Sequence, residues 1–103
     1  MDQVSRYGKI VARPGHAEEL AGLLLKAAGG PADDPSCLLY MVNRQKDDPD
    51  TFWVTELWRS QADLDAVLAR VRGSAEAAAL MEHVASSQMV ELDLLGGKGP
   101  AGA

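Results

Sequence analysis

The chain of 103 residues carries a single cysteine, Cys37. An internal disulfide and a zinc site built from several thiolates are therefore excluded. Cys37 opens the apolar run CLLYMV, and no basic residue stands next to it to activate the thiol. It reads as a small buried apolar side chain. Clustered positive charge is also missing. There are 10 Lys and Arg against 15 Asp and Glu, and the net charge is -5. Nucleic acid and anionic membrane both require grouped cations, so neither is an expected partner. No stretch comes near the 18 or so consecutive apolar residues that a membrane span requires. The first residues, MDQVSRYGKIVARPG, contain no apolar signal core, and a cytoplasmic location is the expectation. Nucleophile-elbow, phosphate-loop and dinucleotide fingerprints are absent. Gly96, Gly97 and Gly99 lie after the last expected strand, with no helix to follow. The two histidines, His16 and His83, lack metal-ligand spacing. Neither a metal nor another cofactor is expected.

Apolar residues make up 47% and charged residues 24%, which fits one globular domain. Residues 1–95 read as that domain and 96–103, GGKGPAGA, as a flexible tail. Alternation predicts a strand over 6–13, ended by Pro14-Gly15. Leu20, Leu23, Leu24 and Ala27 form the stripe of a helix over 16–28, which Gly29-Gly30-Pro31 should stop. Residues 37–45 and 51–58 read as strands joined by KDDPD. Ser60-x-x-Asp63 is a helix cap, and Leu64, Val67, Leu68 and Val71 are the stripe behind it. Gly73 breaks that helix, and Ser74 caps a third, with Ala77, Leu80, Met81 and Val84 as its apolar face. Residues 88–95 form the last strand. The order strand, helix, strand, strand, helix, helix, strand is an α+β fold: a ferredoxin-like split βαβ unit with a four-stranded antiparallel sheet.

Helices can cover only one face of that sheet. In the second strand, Leu38, Tyr40 and Val42 would lie on one face, with Cys37, Leu39 and Met41 on the other. Both faces are apolar, whereas a half-wet strand should alternate with polar residues. A second copy of the chain is the simplest cover, so a homodimer is expected.

The phrases VARPGHAEEL and SCLLYMVNRQKDDPDTFWVTELWRSQADLDAVL resemble the antibiotic-biosynthesis monooxygenase family over roughly residues 6–95. The resemblance implies a dimeric α+β barrel with a pocket between sheet and helices in each subunit. The activities it implies include cofactor-free oxygenation of anthrones and quinols. Similar barrels degrade haem, isomerise small signalling molecules, or have no assigned activity. Trp58 matches the tryptophan that sits by the substrate in anthrone oxygenases. Val54 stands where those enzymes carry an asparagine, and Val67 where many relatives carry a histidine.

The resulting expectation is a cofactor-independent monooxygenase acting on a small aromatic phenol, quinol or anthrone. The alternatives are a non-catalytic ligand-binding or regulatory dimer and, further off, haem binding. Glu56 shares a strand face with Val54 and Trp58. Burial there would raise its pKa and suit a general base, while the plainer reading pairs it with an arginine such as Arg13 or Arg44. His83, beside the apolar stripe of the third helix, is the second candidate proton carrier. A surface hydrogen bond is its plainer role, and His16 should be exposed. Trp58 is either a platform for an aromatic ring or core. Tyr7, Tyr40 and Asn43 could each donate a hydrogen bond to the substrate or sit at a wet rim. The face holding Glu56 and Trp58 should look toward the helices, and the face holding Trp53, Thr55 and Leu57 away from them.

Overall fold

The computed structural model describes residues 3–99. The elements run β1 (Val4–Ala12), α1 (Ala17–Ala32), β2 (Cys37–Gln45), β3 (Asp48–Trp58), α2 (Gln61–Val71), α3 (Ala75–Met81) and β4 (Val84–Asp93). The four strands form one open antiparallel sheet in the order β2-β3-β1-β4. This is the ferredoxin-like arrangement. Residues 94–99 continue past β4 without regular structure. The remainder of the expected tail, 100–103, lies outside the described residues.

Local chemistry sets the boundaries. At Pro14-Gly15 the His16 amide donates to the Arg13 carbonyl at 2.9 Å, and Gly15 takes φ 83°. That is a type II turn, which requires a residue tolerant of positive φ at its third position. Ser60 caps α2 by accepting from the Asp63 amide at 3.2 Å, and Ser74 caps α3 from the Ala77 amide at 3.1 Å. Both caps follow the sequence reading. Gly73, at φ 79°, separates the two helices.

Four expectations are corrected. Helix α1 does not stop at Gly29 but runs through Gly30 and Pro31 to Ala32. Its last turn tightens instead: the Asp33 and Asp34 amides reach back three residues to the Gly30 and Pro31 carbonyls. Strand β3 begins at Asp48 and includes Pro49, so the connection shrinks to Lys46-Asp47. Pro49 is accommodated because β1 pairs with β3 only from Thr51 onward. Strand β4 starts at Val84, four residues early. Its polar segment Ser86–Gln88 gives no apolar alternation, yet it pairs with β1 from Val11 to Lys9. Val84 therefore belongs to β4, not to the stripe of α3. Finally, a bulge between Cys37 and Leu39 turns Cys37 away from the Met41 face and packs it against Val4, Trp58 and Leu64.

All three helices lie over the face that carries Arg6, Gly8 and Ile10 of β1 and Val54, Glu56 and Trp58 of β3. Two apolar clusters fill that side. One gathers Ile10, Ala12, Leu20, Leu24, Phe52, Val54 and Val84; the other gathers Val4, Trp58 and Leu64. The opposite face carries Tyr7, Lys9, Met41, Trp53, Val90 and Leu92. Tyr7, Met41, Val90 and Leu92 are between 42% and 48% exposed. Tyr7 stacks on Trp53 with ring centroids 5.4 Å apart.

Leu64 is fully buried and joins α2 to the sheet. Leu64→Ala should lower unfolding stability by about 2–5 kcal/mol in urea titration, because the site cannot collapse around the missing atoms.

Candidate functional site

The strand register builds the site. Glu56 on β3 faces Arg6 across one ladder and Tyr40 across the other. All three side chains point toward the helices. Glu56 is 2% exposed, although its neighbours along the same face are Val54 and Trp58. The Trp58 Nε1–H donates to Glu56 Oε1 at 2.8 Å, and Arg6 Nη1 donates to Oε2 at 3.3 Å. The first bond is short and the second is long for a charge-assisted pair. Burial raises the Glu56 carboxyl above its usual 4.5, against the opposing pull of Trp58 and Arg6. Desolvation therefore outweighs both partners. Burial, and then the nearby Glu56 charge, pushes the Tyr40 phenol up to about 12.

These groups open onto a cavity of about 720 Å³ between the sheet, α1 and α3. Arg6, Tyr40, Glu56 and Met89 form its floor, and Leu23, Leu24, Ala77 and Leu80 form its helical walls. A smaller space of about 280 Å³ shares Arg6, Tyr40, Glu56 and Arg70 with it and extends to Trp58 and Leu64. At its margin Arg70 Nη2 lies 3.6 Å from Asp34 Oδ2. The size suits a ligand of two or three fused rings. Gly8 lies next to Arg6 on the same face. A Cβ there would collide with the Met89 side chain and meet the Gln88 carbonyl at 3.0 Å, so glycine lets β4 lay Met89 across β1.

Of the expected site residues, the structure brings Glu56, Tyr40 and Trp58 together. Trp58 is only 1% exposed; its indole holds Glu56, and it lines the smaller space but not the larger cavity. Tyr7 and Asn43 are not brought to the cavity. Strand alternation puts them on the outer face, where the Asn43 amide donates to the Trp53 carbonyl at 3.5 Å. His83 does not line either space. It turns instead toward His16, with the two Nδ1 atoms 2.9 Å apart. The arginine partner of Glu56 is Arg6, not Arg13 or Arg44. Arg13 donates to the Val84 carbonyl and Arg44 pairs with Glu18. The signal for Arg6 was present in the sequence: it is the one cation on the apolar face of β1. Burial and the nearby carboxylates of Glu56 and Asp34 raise the Cys37 thiol, which keeps it protonated.

The sequence profile of the antibiotic biosynthesis monooxygenase family matches residues 4–72, well over half of the chain. The chain belongs to this family. Among solved structures, a variant of SnoaB from Streptomyces nogalater, a cofactor-independent oxygenase, superposes with a TM-score of 0.83 at 16% identity. That alignment covers 94% of this chain and 97% of SnoaB. A proposed antibiotic biosynthesis monooxygenase from Deinococcus radiodurans gives a TM-score of 0.83 at 25% identity, over 96% of this chain and 99% of that one. A protein of unknown function from Nitrosomonas europaea gives 0.78 at 25% identity, over 97% and 96%. No curated protein matches. No helix among the described residues is long and apolar enough to cross a membrane.

The Glu56 shift fixes a pH signature. Its folded pKa lies above the unfolded value, so the folded chain holds the proton more tightly. The stability linked to this proton is complete below about pH 4.5 and is lost as pH rises through the folded value. Glu56→Gln keeps an acceptor for Trp58 and removes the titration. Wild-type stability relative to Glu56→Gln should therefore decline as pH rises above about 4.5 in parallel denaturant titrations.

Proposed function

We propose that this family member is a monooxygenase that works without a metal or organic cofactor on a flat phenol, quinol or anthrone, with Glu56 as its base. The observation that carries the reading is a buried carboxylate of raised pKa at the floor of a cavity large enough for such a ring system. Family membership supports it. Apolar walls would strip water from the bound substrate. Glu56 would take the acidic proton of the substrate, Trp58 would hold the carboxylate in place, and Arg6 and Tyr40 would face the resulting anion. The electron-rich anion reduces dioxygen directly. One oxygen atom ends as the product carbonyl and the other leaves as water. His83 takes no part in this step, because it does not reach the cavity. The haem reading finds no histidine among the described cavity residues to serve as an axial ligand. One observation favours a non-catalytic binding role: both oxygens of Glu56 are already engaged.

Oxygen consumption separates these readings. With a model anthrone or quinol, wild type should consume oxygen, and Glu56→Gln should lower kcat by about 10²–10⁴-fold, the usual contribution of a positioned base. Binding of the same compound without oxygen uptake by wild type would leave the ligand-binding role.

The homodimer belongs to the same proposal. The exposed outer face, with Tyr7, Met41, Trp53, Val90 and Leu92, is the surface that a second sheet would cover around a two-fold axis. Sedimentation at micromolar concentration should give twice the chain mass, and Met41→Lys combined with Val90→Lys should shift it to monomer. A wild-type monomer would exclude the paired-sheet barrel.

A further inference from the structure

Arg70 stands in the last turn of α2 and lines both the larger cavity and the smaller space. Its ion-pair partner, Asp34, holds Oδ2 3.6 Å from Nη2, beyond hydrogen-bond length. Asp34 is engaged elsewhere: its Oδ1 accepts from the Ser36 amide at 2.9 Å and from the Ser36 hydroxyl at 2.7 Å. The Arg70 side chain is 71% exposed, so its fork of N–H donors is open to water or to a ligand. Val71, beside it, is 47% exposed and lines the same two spaces, and Met81, 50% exposed, lines the larger one. The cavity margin thus sets an uncommitted cation next to apolar side chains. Arg6 also borders both spaces, and Lys26 borders the larger. A chain of net charge -5 therefore places three cations, Arg6, Lys26 and Arg70, around a cavity bordered by two carboxylates, Glu56 and Glu76.

We propose that the cavity takes an aromatic carboxylic acid, whose fused rings lie over Tyr40, Glu56 and Met89 and whose carboxylate reaches out to Arg70 at the margin. The proposal rests on reading the cavity as the place of an aromatic ligand, and not on oxygen chemistry. A guanidinium offers a planar pair of parallel N–H donors that match the two oxygens of a carboxylate. The position suits an acid for a second reason. A carboxylate on the cavity floor would meet Glu56 away from water, where like charges repel strongly. One held by Arg70 stays partly in water, so little of its hydration is lost. A monoanion fits better than a phosphate dianion, because Asp34, Glu56 and Glu76 border these spaces as well. Apolar surface then carries the rings, and one well-placed cation reads the acid, which is the usual division of labour in a small-molecule site.

Binding measured without oxygen tests this independently of turnover. An anthraquinone monocarboxylic acid and its neutral carboxamide share one ring system and differ chiefly in charge. Calorimetric titration of the whole chain at neutral pH should show the acid bound about tenfold more tightly, the low end for a hydrogen bond to a charged group, because Arg70 is largely exposed. Arg70→Gln should abolish this preference and leave the affinity for the amide as it was. Arg72→Gln removes an equal charge from a side chain that lines neither space, and should keep the preference. Equal affinity of wild type for acid and amide would overturn the acid site and leave the proposed oxygenation standing. So would a preference that survives in Arg70→Gln or disappears in Arg72→Gln. Failure of both compounds to bind would overturn the aromatic cavity as well. A clear acid preference without oxygen uptake in the quinol assay would uphold the role of Arg70 and end the monooxygenase reading.

Discussion

The inner side of this fold is organised around one unfavourable demand, a carboxylate removed from water between two apolar clusters. An isolated buried charge costs several kcal/mol, and the surroundings of Glu56 offset only part of that cost, so its carboxyl stays above the usual range. Trp58 supplies a short hydrogen bond from two residues along the same strand face. Arg6 supplies a longer, partly exposed ion pair from the in-register position on β1. On its remaining side Glu56 lines the cavity. Each device depends on strand register: a slip of one residue would carry Arg6 to the opposite face and leave Glu56 without its cation. The same ladders that hold the sheet together therefore also fix the electrostatics of the site.

The aromatic residues divide by face. Tyr40, Phe52 and Trp58 belong to the helical side, where they fill or bound the clusters. Tyr7 and Trp53 belong to the outer side, where they stack with each other and Lys9 lies 5.8 Å above the indole. One face is thus committed to enclosing a ligand-sized space. The other presents an apolar surface edged with charge, and the chain contains nothing among its described residues that covers it.

Much of this architecture was legible because it depends on local chemistry. The caps at Ser60 and Ser74, the turn at Pro14-Gly15, the break at Gly73 and the inward face of Glu56 and Trp58 each follow from a few adjacent residues. What was not legible depends on partners distant in sequence. β4 is pinned by hydrogen bonding to β1, so its polar start gave no periodic signal. The bulge at Cys37–Leu39 reversed one side chain that strict alternation assigned to the other face. The meeting of His16 with His83 arises from the path of the chain around α3, and no spacing rule connects them. Tyr7 and Asn43 were placed at the site on their chemistry alone. Strand parity would have assigned both to the outer face, because Tyr7 alternates with Arg6 and Gly8, and Asn43 with Val42.

The cavity follows from what α3 lacks. Gly73 divides what could have been one long helix, and the second piece, AEAAALM, is short and rich in alanine. None of its residues is fully buried. Ala77, half-buried, stands where a larger side chain would fill part of the cavity. Leucine there would add apolar contact, at roughly 1.5–3 kcal/mol for a fully buried side chain. It would also narrow the volume that Glu56 lines. The chain thus forgoes packing energy over the one polar group that its core contains at this point. Small residues over a buried carboxylate are poor design for a core that serves stability alone, and suitable design for a wall that must leave room for a ligand.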